Sequence, residues 1–273
     1  MRDTVIAVCA GELYKAMRGD YPRLSGEEFD TLFNASLSLS YGEAAFSDKK
    51  INPVLRKKLT DNFLRRAAGT AVEYITGSVE FMGLTLEMEE GVFIPKNSTE
   101  TLVERLLERS SAGMTLIDMG CGSGNISIAA SKLGKLSVTA CDINPAALRL
   151  TRKNAGKLGE NIKILRSDLF ADVKGRFDII ASNPPYIPSG ETLDEAVLSQ
   201  PAEALFSGAD GLDCIRKLAV RSRDYLNDGG YLLIEIGALQ ERAVADILNA
   251  GGWKNVNFYK DLSGIMRVAE ASC

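Results

Sequence analysis

Residues 115–130 read Thr-Leu-Ile-Asp-Met-Gly-Cys-Gly-Ser-Gly-Asn-Ile-Ser-Ile-Ala-Ala. Thr115 to Asp118 has the character of a strand. Gly120-Cys121-Gly122-Ser123-Gly124 is a tight turn, and Ile126 to Leu133 is the helix it opens. The same alternation runs on from there. Strands are expected at Leu136–Asp142, Ile162–Arg166, Phe177–Ser182, Tyr231–Ile236, and roughly at Val256–Lys260 and Arg267–Ala269. Helices are expected at Glu100–Ser110, Ala146–Leu158, Cys214–Leu226 and Leu239–Ala250. Strand–helix alternation of this kind specifies an α/β fold with a parallel, doubly wound, Rossmann-like sheet.

Ligands of such sheets bind beyond the carboxyl ends of the strands, and four of those ends carry chemistry here. The glycine loop permits close backbone approach to a ligand. A dinucleotide fingerprint would need its last glycine at Asn125 or Ser127, so that reading fits poorly. Two acids sharpen the picture. Asp118 ends the first strand, and Asp142 ends the second, where a carboxylate can take ribose hydroxyls. An acid beside the loop repels a pyrophosphate and attracts a cation. S-adenosylmethionine, with its sulfonium, ammonium and ribose, suits both positions better than a nicotinamide dinucleotide. Cys121 only fills space inside the loop. Asp168, with Leu169 and Phe170, follows the third strand and is placed to frame an adenine. The fourth end is Asn183-Pro184-Pro185-Tyr186, after the run Phe177–Ala181. Paired prolines cannot donate to a sheet ladder, so the strand stops there and the chain turns stiffly. An amide side chain, freed carbonyls and a ring at that corner can grip a planar NH2 group.

Composition narrows the chemistry. The 273 residues are 45% hydrophobic, with a net charge of −4, against a broad grip on nucleic-acid phosphates. The run Arg56-Lys57-Lys58, followed by Arg65-Arg66, reads as a solvated helix face. There is no histidine, which removes the commonest general base and excludes His-dependent triads. Cys9, Cys121, Cys141, Cys214 and Cys273 are scattered without a C-x-x-C pair; neither a disulfide framework nor a metal site is expected, and a reducing cytoplasm is. No segment approaches the ~20 apolar residues of a membrane span. The stretch Thr4–Ala10 is expected to start a helix spanning Asp3–Met17. Further helices are expected after Ser25 and after Asn52-Pro53. Val79–Met88, a turn at Glu89-Glu90-Gly91, and Val92-Phe93-Ile94 read as a β-hairpin. The expected organisation is therefore a helical bundle over 1–78, a hairpin linker over 79–97, and an α/β domain over 98–273.

Taken together these residues resemble the S-adenosylmethionine-dependent methyltransferases, and FDIIASNPPYI resembles the class that methylates planar nitrogen. The order AVEYITGSVEFMGLTL, VFIPKNSTETLVE, IDMGCGSGNISIA, CDINPAALRLTRKNA, SDLF, SNPPYI, GADGLD and GGYLLIEIG is similar to the HemK/PrmC family of protein-(glutamine-N5) methyltransferases. The resemblance implies a seven-stranded sheet with its last strand antiparallel, and S-adenosylmethionine as methyl donor. It implies as acceptor the glutamine of the Gly-Gly-Gln loop of peptide-chain release factors. It places the cofactor at Asp118, Gly120–Gly124, Asp142, Asp168, Leu169 and Asn183, and catalysis at Asn183, Pro184, Pro185 and Tyr186. The helical domain is then expected to recognise the protein substrate. Three stretches depart from the family pattern: Lys96-Asn97-Ser98, Gln200-Pro201 and Gly264-Ile265-Met266-Arg267. The competing reading is an N-methyltransferase acting on an exocyclic base amine or a small molecule. Trp253 reads as packing, and Glu100 as a helix cap.

Overall fold

The computed structural model describes residues 9–21, 24–40 and 43–273. They fall into two compact units, one running to Gly77 and including Asp194–Ser199, the other comprising Ser78–Leu193 and Gln200–Cys273.

The first unit holds α1 (Ala10–Arg18), α2 (Gly26–Leu37), α3 (Pro53–Ala67) and α4 (Val72–Thr76). The expected helix start at residues 3–8 lies outside the described residues. α2 begins where its cap dictates: Ser25 Oγ accepts from the Glu28 amide at 3.1 Å, and Glu28 Oε2 accepts from the Ser25 amide at 3.0 Å. α3 starts with proline at its first position, and Asn52 Oδ1 accepts from the Leu55 amide at 2.9 Å. Phe29, Phe33, Leu59 and Phe63 are fully buried between them, each worth roughly 1.5–3 kcal/mol of apolar transfer. Two residues of the basic run on α3 form ion pairs: Lys57 lies 2.7 Å from Asp61, one turn on, and Arg66 2.6 Å from Glu28 of α2.

The second unit opens with β1 (Ser78–Phe81) and β2 (Leu84–Glu87), an antiparallel hairpin turning at Met82-Gly83. This corrects the sequence expectation, which set the turn at Glu89–Gly91 and a second arm at Val92–Ile94. Met82 and Gly83 have φ of 51° and 70°, the positive pair of a two-residue hairpin turn. Glu100 Oε1 accepts from the Met82 amide at 2.6 Å, so Glu100 secures this turn rather than capping its own helix.

There follow α5 (Ser98–Arg109), β3 (Thr115–Met119), α6 (Asn125–Gly134), β4 (Ser137–Asp142), α7 (Pro145–Leu158), β5 (Lys163–Arg166), β6 (Phe177–Ser182), α8 (Glu195–Leu198, in the first unit), α9 (Asp213–Arg221), β7 (Leu226–Glu235), α10 (Glu241–Ala250), β8 (Lys254–Lys260) and β9 (Met266–Ser272). The seven-stranded sheet has the order β5-β4-β3-β6-β7-β9-β8. Only β9 runs antiparallel to its neighbours. β7 starts five residues before the expected Tyr231. Asn227-Asp228-Gly229-Gly230 looks like a turn, yet Leu226 pairs with Phe177 and Asn227 Nδ2 donates to Asp178 Oδ1 at 2.7 Å.

Strand alternation sends Leu116, Val138, Ile179 and Leu233 into one face of the sheet, and Ile117, Cys141, Ile180 and Ile234 into the other. Trp253 is buried in the second layer and donates from Nε1 to the Ala219 carbonyl at 2.8 Å. The sheet begins at β3, winds outward to β5, and resumes on the other side at β6. Its switch point therefore lies between β3 and β6, where the carboxyl ends leave a crevice. Among the described residues no helix is long and apolar enough to cross a membrane.

Candidate active site

A cleft of about 400 Å³ opens at that switch point. Gly120, Cys121 and Gly122 from the loop after β3 line it, with Asp142 from β4 and Asp168 and Leu169 after β5. Asn183, Pro184 and Pro185 after β6 line the same space. The fold therefore gathers into one site residues as far apart in the chain as Val92 and Lys217.

The loop is held from two sides. The Gly122 amide donates to Asp142 Oδ2 at 2.9 Å, and the Asn144 amide donates to Asp142 Oδ1 at 2.8 Å. Gly120 and Gly122 leave open space where a side chain would stand. Gly124 differs, because a Cβ there would meet Thr151 Cγ2 at 2.8 Å. It serves helix packing, the third role of such glycines.

Three residues therefore depart from the sequence expectation of direct contact: Asp118 in β3 and Ser123 and Gly124 in the loop do not line the cleft. Asp118 is fully buried beneath the loop, and its Oδ2 accepts from Ser127 Oγ at 2.6 Å and the Ser127 amide at 3.0 Å. Its Oδ1 has no hydrogen-bond partner among the described residues. Burial pushes the carboxyl up to about 7; the Ser127 bonds oppose this, and the Asp142 charge adds to it. Asp142 is also raised, first by burial and against its backbone donors. Phe170 is not in the cleft either. It stacks on Tyr225 at 4.6 Å between centroids inside the sheet–helix core.

Around the ligand space stand Asp142, Asp168, Glu203 and Asp213 against one cation, Lys217. That balance favours a positively charged ligand. The thiols are not nucleophiles. Burial, reinforced by Asp142 and Asp118, pushes Cys141 up to about 12 and Cys121 well above its ordinary value.

At the proline corner, Ser182 Oγ donates to the Met119 carbonyl at 2.7 Å and ties β6 to β3. Asn183 Nδ2 donates to Thr99 Oγ1 at 3.0 Å. Tyr186 does not line the cleft; its hydroxyl makes a long 3.4 Å contact to Glu235 Oε1, and its carbonyl accepts from Gln240 Nε2 at 2.9 Å. The expected packing of its ring on a substrate amide is not how the side chain is anchored here. Gln200 is buried, and its Oε1 accepts from the Ile94 amide at 2.9 Å. That bond joins the segment carrying Val92 and Phe93 to Pro201, all three lining the cleft.

Sequence reasoning missed Val92, Phe93, Thr99, Glu203 and Glu235. For Glu235 a signal existed: a carboxylate inside the apolar strand Tyr231–Ile236, where charge is seldom buried without purpose. Ser98 Oγ donates to its Oε1 at 3.1 Å. Burial raises its pKa, and the nearby hydroxyls of Thr99 and Ser98 act against that.

Comparison with known proteins gives a consistent result. Residues 83–245 match the family described as "Methyltransferase small domain". The release factor glutamine methyltransferase of Geobacter sulfurreducens is 35% identical over 247 residues, covering 88% of this chain and 87% of its own. That of Moorella thermoacetica is 38% identical over 226 residues, covering 80% of each. Among solved structures, a Pyrococcus furiosus methyltransferase superposes with a TM-score of 0.57 at 18% identity, covering 80% of this chain and 96% of its own; it speaks to the fold alone.

Proposed function

Because the chain belongs to the release factor glutamine methyltransferases, we propose that it methylates the side-chain amide nitrogen of a glutamine in a peptide-chain release factor, in the Gly-Gly-Gln loop. One observation carries this reading. The Asn183-Pro184-Pro185 corner and the acid-rimmed glycine loop line a single cleft, so an amide and a cationic donor meet in one place. S-adenosylmethionine, when bound, supplies an electrophilic methyl group on a sulfonium. Gly120 and Gly122 would let it approach the backbone, and Asp142 would take its ribose hydroxyls. Asp168 and Leu169 would flank its base. Asp118 acts from beneath, holding the start of α6 through Ser127 rather than touching the ligand.

An amide nitrogen is a poor nucleophile, since its lone pair is delocalised into the carbonyl. With no histidine and with the cleft thiols held protonated, the residues work by placement. Orientation alone can contribute roughly 7–11 kcal/mol in well-aligned systems. Asn183 Oδ1 and the Pro184 carbonyl accept the two hydrogens of the substrate NH2. They hold the nitrogen in line and stabilise the positive charge that grows on it. Pro185 keeps the corner stiff, and the released proton passes to water or a loop carbonyl. The helical unit is assigned to recognition of the protein substrate, in the cytoplasm.

The test is Asn183→Ala with purified release factor, labelled S-adenosylmethionine and mass spectrometry of the modified residue. Wild type should methylate one glutamine. The variant should lose turnover while cofactor affinity stays within about threefold. An active variant refutes the placement mechanism, and label on nucleic acid instead of protein refutes the substrate class.

A further inference from the structure

The Asn183 side chain can present either of two faces to the cleft. Its oxygen accepts hydrogen bonds, and its NH2 donates them. A substrate NH2 has only donors to offer, so an Asn183 turned the wrong way sets donor against donor. What selects the face lies outside the cleft. The only hydrogen bond of the Asn183 side chain among the described residues runs from Nδ2 to Thr99 Oγ1, 3.0 Å away. Thr99 is fully buried in the first turn of α5 and does not line the cleft.

A hydroxyl can both accept and donate, so it enforces a direction only if its own proton is engaged elsewhere. The Glu235 carboxyl at the end of β7 is the acceptor placed for that. It is fully buried; Ser98 Oγ and Tyr186 Oη both reach its Oε1, at 3.1 and 3.4 Å, and its Oε2 has no hydrogen-bond partner among the described residues, which leaves an acceptor open to the Thr99 proton. A carboxylate accepts only. A Thr99 proton turned to it would complete an order of donors whose first step, Asn183 Nδ2 to Thr99 Oγ1, is the bond in the structure.

We infer that Thr99, backed by Glu235, is a positioning residue that fixes the Asn183 amide with its oxygen towards the substrate nitrogen. The inference rests on the catalytic reading of Asn183 given above. Its central test does not use the reaction. In wild type the Asn183 side-chain NH2 should be protected from exchange with water in the ligand-free protein, as followed by nitrogen-15 NMR. Thr99→Ser keeps the acceptor and should keep that protection. Thr99→Val keeps the shape, removes the acceptor, and should exchange at the rate of a free amide.

Turnover then adds a second reading. Thr99→Val should lower kcat roughly 10–100-fold, the scale of a misplaced reacting group. KM and cofactor affinity should stay within about threefold, and Thr99→Ser should recover most of kcat. Unprotected Asn183 protons in wild type or Thr99→Ser overturn the inference, and so does an undiminished kcat in Thr99→Val. The serine variant decides the matter even if the valine variant fails to fold. A wild-type protein that leaves release factors unmethylated defeats the substrate reading, while amide exchange still decides the role of Thr99.

Discussion

Replacing Asp118 by Asn should remove a pH dependence of stability that the wild-type protein carries. In the folded protein Asp118 is fully buried and titrates near 7, against an ordinary value of 3.8 in the unfolded chain. Between those values the folded state holds a proton that the unfolded state has released. Stability is therefore fully present below about pH 4 and is lost as pH rises through 7. A displacement of that size corresponds to about 4 kcal/mol, an upper figure for a site that water can reach when the protein breathes. Asn keeps an oxygen for both Ser127 donors. Its NH2 replaces Oδ1, which has no partner, and leaving that donor unsatisfied costs about 1–3 kcal/mol at every pH. The variant should thus be less stable than wild type below about pH 4, where the wild-type contribution is fully present, and should lose less stability between pH 5 and 8. The difference in slope isolates Asp118 from Asp142 and Glu235, which are raised as well. Urea unfolding at unit pH intervals measures it. Parallel wild-type and variant curves over that range would show that Asp118 does not titrate there.

Asp142→Ala should weaken S-adenosylmethionine binding by roughly 10–100-fold in calorimetry, the worth of one or two charge-assisted hydrogen bonds, with melting temperature falling as Gly122 and Asn144 lose their acceptor. Gly211→Ala should disturb the proline corner from behind. Its φ is +78°, and a Cβ would stand 2.2 Å from the Tyr186 carbonyl oxygen, the atom that Gln240 already holds. A loss of more than about 3 kcal/mol in chemical denaturation, together with a fall in kcat, is expected.

Which parts of this were legible in the sequence follows from where the deciding forces act. The sheet could be read because β3, β4 and β6 are short apolar runs stopped by glycine, acid or proline, and these are local signals. The hairpin turn was misplaced because Met82 takes a positive φ without the Asn or Gly that usually announces one. Glu89-Glu90-Gly91 looked like the better turn. Asp118 was read as facing a ligand because it ends a strand. Whether it faces the cleft or the helix layer depends on α6 presenting Ser127 nine residues later, which no local pattern states. Phe170 was lost to the core for the same reason: its partner, Tyr225, is 55 residues away. Gln200 lies in one of the three stretches that depart from the family pattern the chain resembles. Its use is not legible locally, because the amide that its oxygen accepts from, Ile94, is 106 residues away.

Asp118 and Glu235 solve the same mechanical problem on either side of β6. Both end parallel strands, both are fully buried, and both face the layer formed by α5 and α6. Each accepts from a serine in the first turn of a helix, Ser127 on α6 and Ser98 on α5. Negative charge is favourable at a helix N-terminus. Each acid therefore pins the start of a helix to the carboxyl edge of the sheet. α6 carries the glycine loop on its N-terminal side, and α5 carries Thr99, which holds Asn183. Donor and acceptor halves of the cleft are thus registered to one sheet by two buried carboxyls that touch neither ligand. A reaction that depends on aligning an unactivated amide needs such a frame, because placement contributes only while it is held. Loosening either acid should lower turnover before it unfolds the protein, through different parameters: cofactor affinity for Asp118, and kcat for Glu235.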